Sequence, residues 1–345
     1  MGQHPRHQHG GRDDRRRHRA REHAPVNPTD HFPRLSLGHF PTPIRRLHHL
    51  EQALGGGHLL LKRDDLAGFA LAGNKTRPLE FLIADATSTG CDVVVGGGAP
   101  KSNFIAALAA AASVGGIACE LLISGAALVD PPPTLRLAEA SGARLTFTGG
   151  DREHLDEEID ARASALNRDG HHAYAVPRGG ACAVGALGFA SGASEIAGQG
   201  VPDNATIVLA VGSGSSVAGL NAGRGAIGAN WQIIGVSVSR PLEEMRRHVT
   251  TLTRACTQLL EVAAPSDAVI VDASVPGMGT TTDAERMIVS LAYESEGLLF
   301  DPSYGAKALV EVQRLVRTGF ERPIVLWHTG GLPSALSLLT TEKGA

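Results

Sequence analysis

Short aliphatic runs alternate with glycine-rich turns and longer helical stretches from Pro43 to about residue 330, and this alternation constrains the fold more than any other feature. Seven runs have the length and composition of buried strands. They cover residues 58–62, 92–95, 118–123, 206–211, 232–238, 268–271 and 323–327. Uninterrupted apolar strands separated by helices are typical of parallel sheets whose two faces are both covered. The pattern therefore predicts an α/β fold.

The uncharged, alanine-rich run from Ser102 to Cys119 has the length of a membrane span but is broken by Gly115 and Gly116. We interpret it as a buried helix that leads to a strand. The N-terminal region has no apolar stretch or cleavage signal, and the four cysteines are widely spaced, which favours reduced thiols in the cytoplasm.

Charge is distributed unevenly along the 345 residues. Residues 1–24 contain seven arginines and three acidic residues, a net of +4, so the total of −3 leaves −7 for the remainder. An acidic body argues against nucleic-acid binding and favours a small-molecule enzyme. Residues 1–30 are rich in Arg, His and Pro without apolar periodicity, which predicts a disordered extension. Its histidines could chelate a metal, but a solvated tail is the better interpretation, and we predict no metal site.

Ligands of α/β sheets bind at the carboxyl ends of strands, so the loops there are candidates for chemistry. Residues 68–76 resemble a phosphate-binding P-loop, but Asn74 separates Gly73 from Lys75 and breaks the motif. Lys75 begins a helix, where a free amine able to form a Schiff base would be favoured. The simpler alternative is a solvated lysine in a first helical turn.

Three further loops present hydroxyl groups next to glycines. Ser102 follows a triple glycine and is either an N-cap or a catalytic residue. Residues 212–216 form a Gly/Ser turn between a strand and a helix, which suits a phosphate. Val217 stands where a dinucleotide fingerprint needs glycine, so a single phosphate fits better. Thr329 precedes two glycines and could instead be a structural turn residue. Together, these loops match the needs of pyridoxal phosphate.

Several motifs carry a resemblance to a known family. They are Lys62-Arg63-Asp64-Asp65-Leu66, Gly73-Asn74-Lys75-Thr76-Arg77, Ser102-Asn103, Gly185-Ala186-Leu187-Gly188, Gly212-Ser213-Gly214, Asp301-Pro302-Ser303-Tyr304 and His328-Thr329-Gly330-Gly331. From about Leu35 to Leu336 the chain resembles the fold-type II pyridoxal-phosphate enzymes that include 1-aminocyclopropane-1-carboxylate deaminase and D-cysteine desulfhydrase.

The resemblance implies two three-layer αβα domains with mostly parallel sheets. Residues 31–78 and 190–345 would form a large cofactor-binding domain, and residues 79–189 a small domain inserted into it. It further implies a homodimer that binds pyridoxal 5'-phosphate and a small amino acid.

The resemblance also assigns site residues. Lys75, Ser102 and Tyr304 would be catalytic, with Lys75 as the Schiff-base lysine. The cofactor would be held by Lys75, Asn103, Gly212, Ser213, Gly214, Ser215, Ser216 and Thr329, with Asn103 at its phenolic oxygen and Thr329 at its ring nitrogen. The substrate would contact Lys101, Ser102, Asn103, Phe104, Met278 and Tyr304.

Five positions depart from the family pattern. Pro78 replaces a lysine that helps to bind the phosphate, and Lys101, Phe104 and Met278 change the substrate-facing surface. Gly305 stands where the deaminases have a glutamate that keeps the ring nitrogen protonated. A neutral ring is a weaker electron sink, which suits elimination of a leaving group already present on the β-carbon.

The leading hypothesis is a pyridoxal-phosphate dependent lyase or deaminase that releases a β-substituent and ammonia from a small amino acid. One alternative is a β/γ-replacement or cyclising enzyme of specialised metabolism, suggested by the altered substrate surface. Another is a catalytically degenerate protein that still binds the cofactor.

Overall fold

The computed structural model describes residues 27–274 and 280–340, and ten strands in this part of the chain form two sheets. The strands are β1 Ile44–Arg46, β2 Leu59–Arg63, β3 Val93–Gly98, β4 Ala118–Ile123, β5 Arg144–Phe147, β6 Ala173–Ala175, β7 Thr206–Val211, β8 Gln232–Ser237, β9 Val269–Asp272 and β10 Ile324–His328. The α-helices are α1 His48–Leu54, α2 Thr76–Ser88, α3 Asn103–Gly115, α4 Pro133–Ala140, α5 Leu155–Arg168, α6 Ala183–Gly198, α7 Ser215–Ala226, α8 Leu242–Leu259, α9 Asp283–Glu296, α10 Gly305–Arg317 and α11 Leu332–Thr340.

The larger sheet has the order β1-β2-β10-β7-β8-β9, and only β1 runs antiparallel to its neighbour. The smaller sheet has the order β5-β4-β3-β6 and is entirely parallel. Within each sheet, the carboxyl ends of the parallel strands therefore lie at one edge. The loops after β2, β7, β8 and β10 share one such edge, and the loops after β3, β4, β5 and β6 share the other.

Both sheets are covered on two faces. In β7, Val208 and Ala210 pack with α1, α9 and α10, whereas Ile207 and Leu209 pack with α6, α7 and α8 on the opposite face. Successive side chains of a strand point to opposite faces, so an uninterrupted apolar run serves two cores at once. In the smaller sheet, α2, α3 and α4 cover one face and α5 the other. The predicted α/β architecture of two three-layer sandwiches is confirmed.

The chain passes between the sheets twice, along α2 from β2 to β3 and along α6 from β6 to β7. The alanine-rich run is confirmed as a buried helix, α3, that leads to β4. The domain boundaries expected at residues 78/79 and 189/190 fall within α2 and α6 and stay a prediction.

Three strands were not predicted from the sequence. β1, β5 and β6 lie at sheet edges, where one side of the strand has no partner in the sheet. None of their side chains is fully buried, so these segments lack the apolar runs that revealed the others. Residues 27–30, at the end of the expected extension, form a turn, and Asn27 Nδ2 donates to Ser191 Oγ at 3.3 Å. The disordered extension over residues 1–30 stays a prediction. Residues 1–26 lie outside the described part.

The described residues include no helix long and apolar enough to cross a membrane. Within the same ranges, no three His, Cys, Asp or Glu side chains lie close enough together to hold a metal ion. The four cysteines are free thiols.

Candidate active site

The carboxyl edges of the two sheets face each other across a turn at Arg178–Gly180, which follows β6 of the smaller sheet. A Cβ placed on Gly179 would lie 2.6 Å from Ser213 Oγ, after β7 of the larger sheet, and 3.9 Å from Lys75 Nζ. Gly179 has a φ of +68°, and a larger residue would both strain the backbone and displace Ser213. The turn thus brings loops of both sheets next to Lys75.

Lys75 ends a 3₁₀ turn, Gly73–Lys75, that leads directly into α2. The turn is held against the end of β10, because Asn74 N donates to Thr329 O at 3.0 Å. Among the described residues, no side chain or carbonyl accepts a hydrogen bond from Lys75 Nζ. Desolvation by the surrounding protein lowers the pKa of Lys75 to about 8. A neutral amine, the nucleophilic form, is therefore accessible near neutral pH.

A buried charged network fixes the start of α2. Arg77 donates from Nε to Asp64 Oδ2 at 2.7 Å and from Nη1 to Glu195 Oε2 at 2.9 Å. Trp327 Nε1 donates to the same Asp64 oxygen at 2.6 Å. Arg77 is two residues after Lys75, and Trp327 is two residues before Thr329. The hydrogen bonds to Asp64 therefore fix the two segments that carry these predicted site residues relative to each other. The attraction of the guanidinium lowers the pKa of Asp64 against the opposing effect of burial.

Close packing of α6 against the same turn requires Gly188. A Cβ there would lie 2.3 Å from both the carbonyl carbon and the oxygen of Arg77. Gly188 is thus explained by the close contact of α6 with the segment that carries Lys75. Gly185 instead packs on the turn at residues 178–180, because a Cβ there would lie 2.1 Å from Gly180 O.

The loop after β7 has the features of a single-phosphate site. Gly214 has a φ of +97° and leads into α7, whose first backbone N–H groups lack intrahelical partners. His248 of α8 is hydrogen-bonded through Nε2 to Ser213 O at 2.9 Å and so fixes the backbone of the loop. Ser215 Oγ is buried without a hydrogen-bond partner, which is costly unless a ligand satisfies it. Ser216, the next residue, is also buried.

Tyr304 borders this loop, since a Cβ placed on Gly212 would lie 3.0 Å from its ring. Burial raises the pKa of the Tyr304 phenol, and the nearby Arg152 guanidinium opposes that rise. Asp301 accepts backbone hydrogen bonds from Ser303, Tyr304 and Gly305 at 2.9–3.0 Å and so fixes the start of α10. Desolvation nevertheless raises the pKa of Asp301 to about 6.

The predicted substrate loop follows β3. Ser102 N-caps α3, and its Oγ accepts from Phe104 N at 3.3 Å. Asn103 is partly buried at the first turn of that helix, and Lys101 is exposed before it. Phe104 is buried and lies against the turn at Arg178–Gly180, since a Cβ placed on Gly180 would lie 3.4 Å from Phe104 Cε2. Met278 lies outside the described residues.

Two of the departures from the family pattern have structural consequences. Pro78 is buried in the first turn of α2, and a Cβ placed on Gly180 would lie 3.4 Å from the Cβ of Pro78. A Cβ placed on Gly305 would lie 2.9 Å from Phe300 Cδ1 and 3.2 Å from Asp301 Oδ1. The packing therefore leaves no room for a glutamate at position 305 without a shift of Phe300.

Sequence reasoning missed the turn at residues 178–180 and three arginines near it, Arg152, Arg178 and Arg240. The Pro177-Arg178-Gly179-Gly180 segment offered a signal, because it places two glycines after a β-rich stretch and before a helix. The arginines offered none, since charged residues in loops are usually solvated.

The residues fit pyridoxal 5'-phosphate. Ser215 Oγ, the adjoining helix start and the Gly212–Gly214 loop provide an anion site with an unsatisfied buried hydroxyl. Lys75 provides the amine from the facing loop, and Thr329 provides a hydroxyl at the end of β10. These assignments remain predictions for individual residues.

Comparisons with known proteins agree with this fit. Residues 35–330 match the family described as "Pyridoxal-phosphate dependent enzyme". D-cysteine desulfhydrase of Klebsiella pneumoniae (strain 342) is 34% identical over 325 residues, which cover 88% of this chain and 95% of the relative. The enzyme of the same name from Salmonella choleraesuis (strain SC-B67) is 33% identical over 90% of this chain and 97% of its own.

Solved structures show the same relationship. The crystal structure of an ACC deaminase homologue superposes with a TM-score of 0.83 at 31% identity and covers 90% of this chain and 98% of that one. Maize serine racemase, at 16% identity and a TM-score of 0.60, covers 84% of this chain and 88% of its own and shares the fold. With a family match over most of its length and relatives above 30% identity, the chain belongs to the family of pyridoxal-phosphate dependent enzymes.

Proposed function

We propose that this enzyme is a lyase or deaminase that releases a β-substituent and ammonia from a small amino acid. The proposal is supported by relatives named D-cysteine desulfhydrase that match over most of the chain. The observation that carries the proposal is the position of Lys75 Nζ. Its amine has a lowered pKa, no protein acceptor among the described residues, and lies beside a loop suited to one phosphate.

Bound pyridoxal phosphate makes the α-proton of an amino acid acidic by withdrawing electrons from the α-carbon. The protein must hold the amino acid and move that proton. Lys75 is the proposed base, because its amine is neutral in a substantial fraction of molecules near pH 8. Ser102 and Tyr304 are proposed to assist proton transfer from the facing loops, and Gly212–Ser216 to hold the phosphate.

The position after Tyr304 favours elimination over opening of a cyclopropane ring. Gly305 packs against Phe300 and brings no carboxylate toward the site, and Thr329 is proposed to meet the ring nitrogen instead. A ring nitrogen without a carboxylate partner stabilises a carbanion less, so the reaction should rely on a good leaving group already in place.

A replacement or cyclisation reaction is the second candidate. The burial of Phe104 beside Gly180 favours it, because an apolar ring at the substrate loop would exclude water from the reacting carbon. Product analysis separates the two functions, since elimination releases the amino nitrogen as ammonia and replacement retains it.

The test uses purified enzyme loaded with pyridoxal phosphate. It is offered D- and L-cysteine, β-chloro-D- and L-alanine and 1-aminocyclopropane-1-carboxylate, and 2-oxo acid and ammonia are measured together. We expect equal amounts of both products from at least one β-substituted substrate. The Lys75→Ala variant should lose the visible absorbance of the lysine-bound cofactor and this activity. Product formation by Lys75→Ala at the wild-type rate would refute the assignment.

We further propose that the enzyme acts in the cytoplasm as a homodimer. Leu71 and Leu332 support a second copy, because both are exposed apolar side chains near the contact between Gly73 and Thr329. Leu71 lies in the loop before Gly73, and Leu332 is the first residue of α11. Sedimentation equilibrium should give twice the mass of one chain, and a Leu71→Asp variant should shift the protein toward monomer. A single-chain mass for the wild type would contradict the proposal.

A further inference from the structure

The peptide unit between Thr329 and Gly330 is held at both of its polar atoms. Asn74 N donates to Thr329 O at 3.0 Å, and Gly330 N donates to His328 Nδ1 at 3.2 Å. Gly330 has a φ of +102°, a conformation that favours glycine. The orientation of this peptide unit relative to the turn that carries Lys75 is therefore fixed, and the same backbone carries the Thr329 hydroxyl.

His328 is the last residue of β10, and its imidazole ring is buried. Its Nε2 is hydrogen-bonded to Leu299 O at 3.0 Å, and the ring stacks on Phe300 with 4.3 Å between the ring centroids. A carbonyl oxygen only accepts hydrogen bonds and a backbone N–H only donates them. The partners therefore place the proton on Nε2 and the lone pair of Nδ1 toward Gly330 N, which defines one neutral tautomer.

The charged groups around the ring are compatible with the neutral form. Burial lowers the pKa of His328 against the opposing effects of Asp65 and Asp64, and Arg63 acts in the same direction as burial. The other neighbour of β10, β7, has no charged residue. On the remaining side, the Asp301 carboxyl accepts three backbone hydrogen bonds at the start of α10. The lowered pKa keeps the ring neutral near pH 7, so that Nδ1 is able to accept a hydrogen bond.

We propose that His328 is a positioning residue, which orients the Thr329 hydroxyl toward the nitrogen of the cofactor ring through the hydrogen bond from Gly330 N to Nδ1. The inference rests on the proposed function, in which Thr329 meets that nitrogen. The hydrogen bond from Nε2 to Leu299 O ties the same imidazole to the segment that leads to Tyr304. One side chain thus aligns two of the loops that form the proposed site.

Two substitutions separate the two hydrogen bonds of the ring. His328→Asn retains an oxygen that can accept from the N–H two residues further on, as asparagine does in Asx-turns, but its side chain is too short for Leu299 O. His328→Gln can reach Leu299 O and offers no acceptor at the position of Nδ1. Both variants lose the ring that stacks on Phe300, so their melting temperatures should fall by similar amounts.

The cofactor-free enzyme is titrated with pyridoxal 5'-phosphate, and the absorbance of the lysine-bound cofactor gives the dissociation constant. We expect His328→Asn to keep the absorbance maximum of the wild type and a dissociation constant within about twofold of it. His328→Gln should shift the absorbance maximum and weaken binding about threefold to tenfold, as the loss of one hydrogen bond does. The matched control is His171→Gln, which breaks an exposed pair with Asp92 outside the site and should leave binding unchanged.

A double-mutant cycle shows whether His328 acts through Thr329. Thr329→Val removes the hydroxyl at similar volume and should weaken cofactor binding by about the same factor as His328→Gln. In the Thr329→Val background, His328→Gln should weaken binding less than about twofold further. Additive losses would overturn the inference, as would equal binding by the Asn and Gln variants or unchanged binding by Thr329→Val.

If His328→Gln does not fold, the wild type itself provides the test. Nitrogen-15 NMR of the histidine-labelled holoenzyme should show a neutral His328 ring with its proton on Nε2 near neutral pH, and the signal that is absent from His328→Asn identifies this ring. A charged ring, or a proton on Nδ1, would also contradict the positioning role, because neither form accepts from Gly330 N.

These results are distinct from a failure of the proposed function, because neither titration nor NMR needs turnover. If no 2-oxo acid forms from any amino acid while the difference between the Asn and Gln variants persists, the proposed reaction is wrong and the positioning role stands. If the wild type eliminates a β-substituent and both variants bind the cofactor equally, the reaction stands and the positioning role is wrong.

Discussion

Lys75 illustrates how one residue acquires its chemistry. Its position at the start of a helix suggested from sequence that the helix dipole would disfavour the charged amine, but desolvation is the cause of the lowered pKa. The tight contact of Gly73 and Asn74 with Thr329 encloses the amine at the end of β10. A local sequence pattern could suggest a reactive lysine here, whereas the loss of water around it depends on three strand-end loops from distant parts of the chain.

We expect the rate at which the cofactor-free enzyme takes up pyridoxal phosphate to rise with pH and to level off above a midpoint near pH 8, because only the neutral amine of Lys75 attacks the aldehyde. Stopped-flow absorbance from pH 6.5 to 9.5 measures this rate. Nα-acetyl-lysine in solution is the control and should show a midpoint near the ordinary lysine value of about 10.4. A midpoint above pH 9.5 for the enzyme would contradict the assigned environment.

Ser102 has two roles that substitutions can separate. Ser102→Ala removes the hydrogen bond to Phe104 N and should cost about 1 kcal/mol of stability. Ser102→Asn retains an N-cap without a hydroxyl group and should recover that stability. If the hydroxyl takes part in proton transfer, both variants should lose roughly 10²–10⁴-fold in kcat. Recovery of kcat in Ser102→Asn would show that the residue is only a cap, and urea unfolding provides the stability measurement.

At the level of elements, the important feature is the network that joins β2, α2, α6 and β10. Asp64 holds both Arg77 and Trp327, and Glu195 of α6 holds Arg77 and Lys62 of β2. All these charges are buried or nearly so. Removal of one partner from such a network leaves an uncompensated buried charge, which costs much more than the loss of an exposed pair.

Asp64→Asn should lower the free energy of unfolding by about 3–5 kcal/mol at pH 7 because Arg77 loses a buried counter-ion. The pKa of Asp64 is lowered in the folded protein, so its contribution is present above the unfolded pKa and is lost as pH falls through the folded one. The difference between wild type and variant should therefore shrink in acid. Arg136→Gln, which breaks an exposed pair with Asp130, is the control and should cost under about 1 kcal/mol. Urea unfolding compares both, and equal costs would contradict the network's role.

At the scale of the whole molecule, the proposed cofactor site joins two sheets. The proposed phosphate loop and Thr329 belong to the larger sheet, Ser102 and Phe104 to the smaller one, and Gly179 is the point where they meet. A ligand bound at the proposed site would contact both sheets and should stabilise them as one unit.

Removal of the cofactor should therefore lower the melting temperature. At a free concentration one thousand times its dissociation constant, a ligand that binds only the folded state contributes about 4 kcal/mol. Calorimetry of wild type with and without pyridoxal phosphate measures the effect. In Lys75→Ala, which retains only the noncovalent contacts, the shift should be smaller. If pyridoxal phosphate shifts the melting temperature of Lys75→Ala as much as that of the wild type, the bond to Lys75 does not contribute to the stabilisation.

The buried strands, the helix that follows β3 and the cofactor class could all be predicted from the sequence, because apolar periodicity and glycine-hydroxyl turns are local consequences of backbone geometry. Only the tertiary structure revealed the edge strands β1, β5 and β6, whose residues have no uninterrupted apolar run. The same holds for the contact of Gly179 with Ser213. These two residues follow strands of different sheets, and they meet only because parallel strands bring the loops at their carboxyl ends to facing sheet edges.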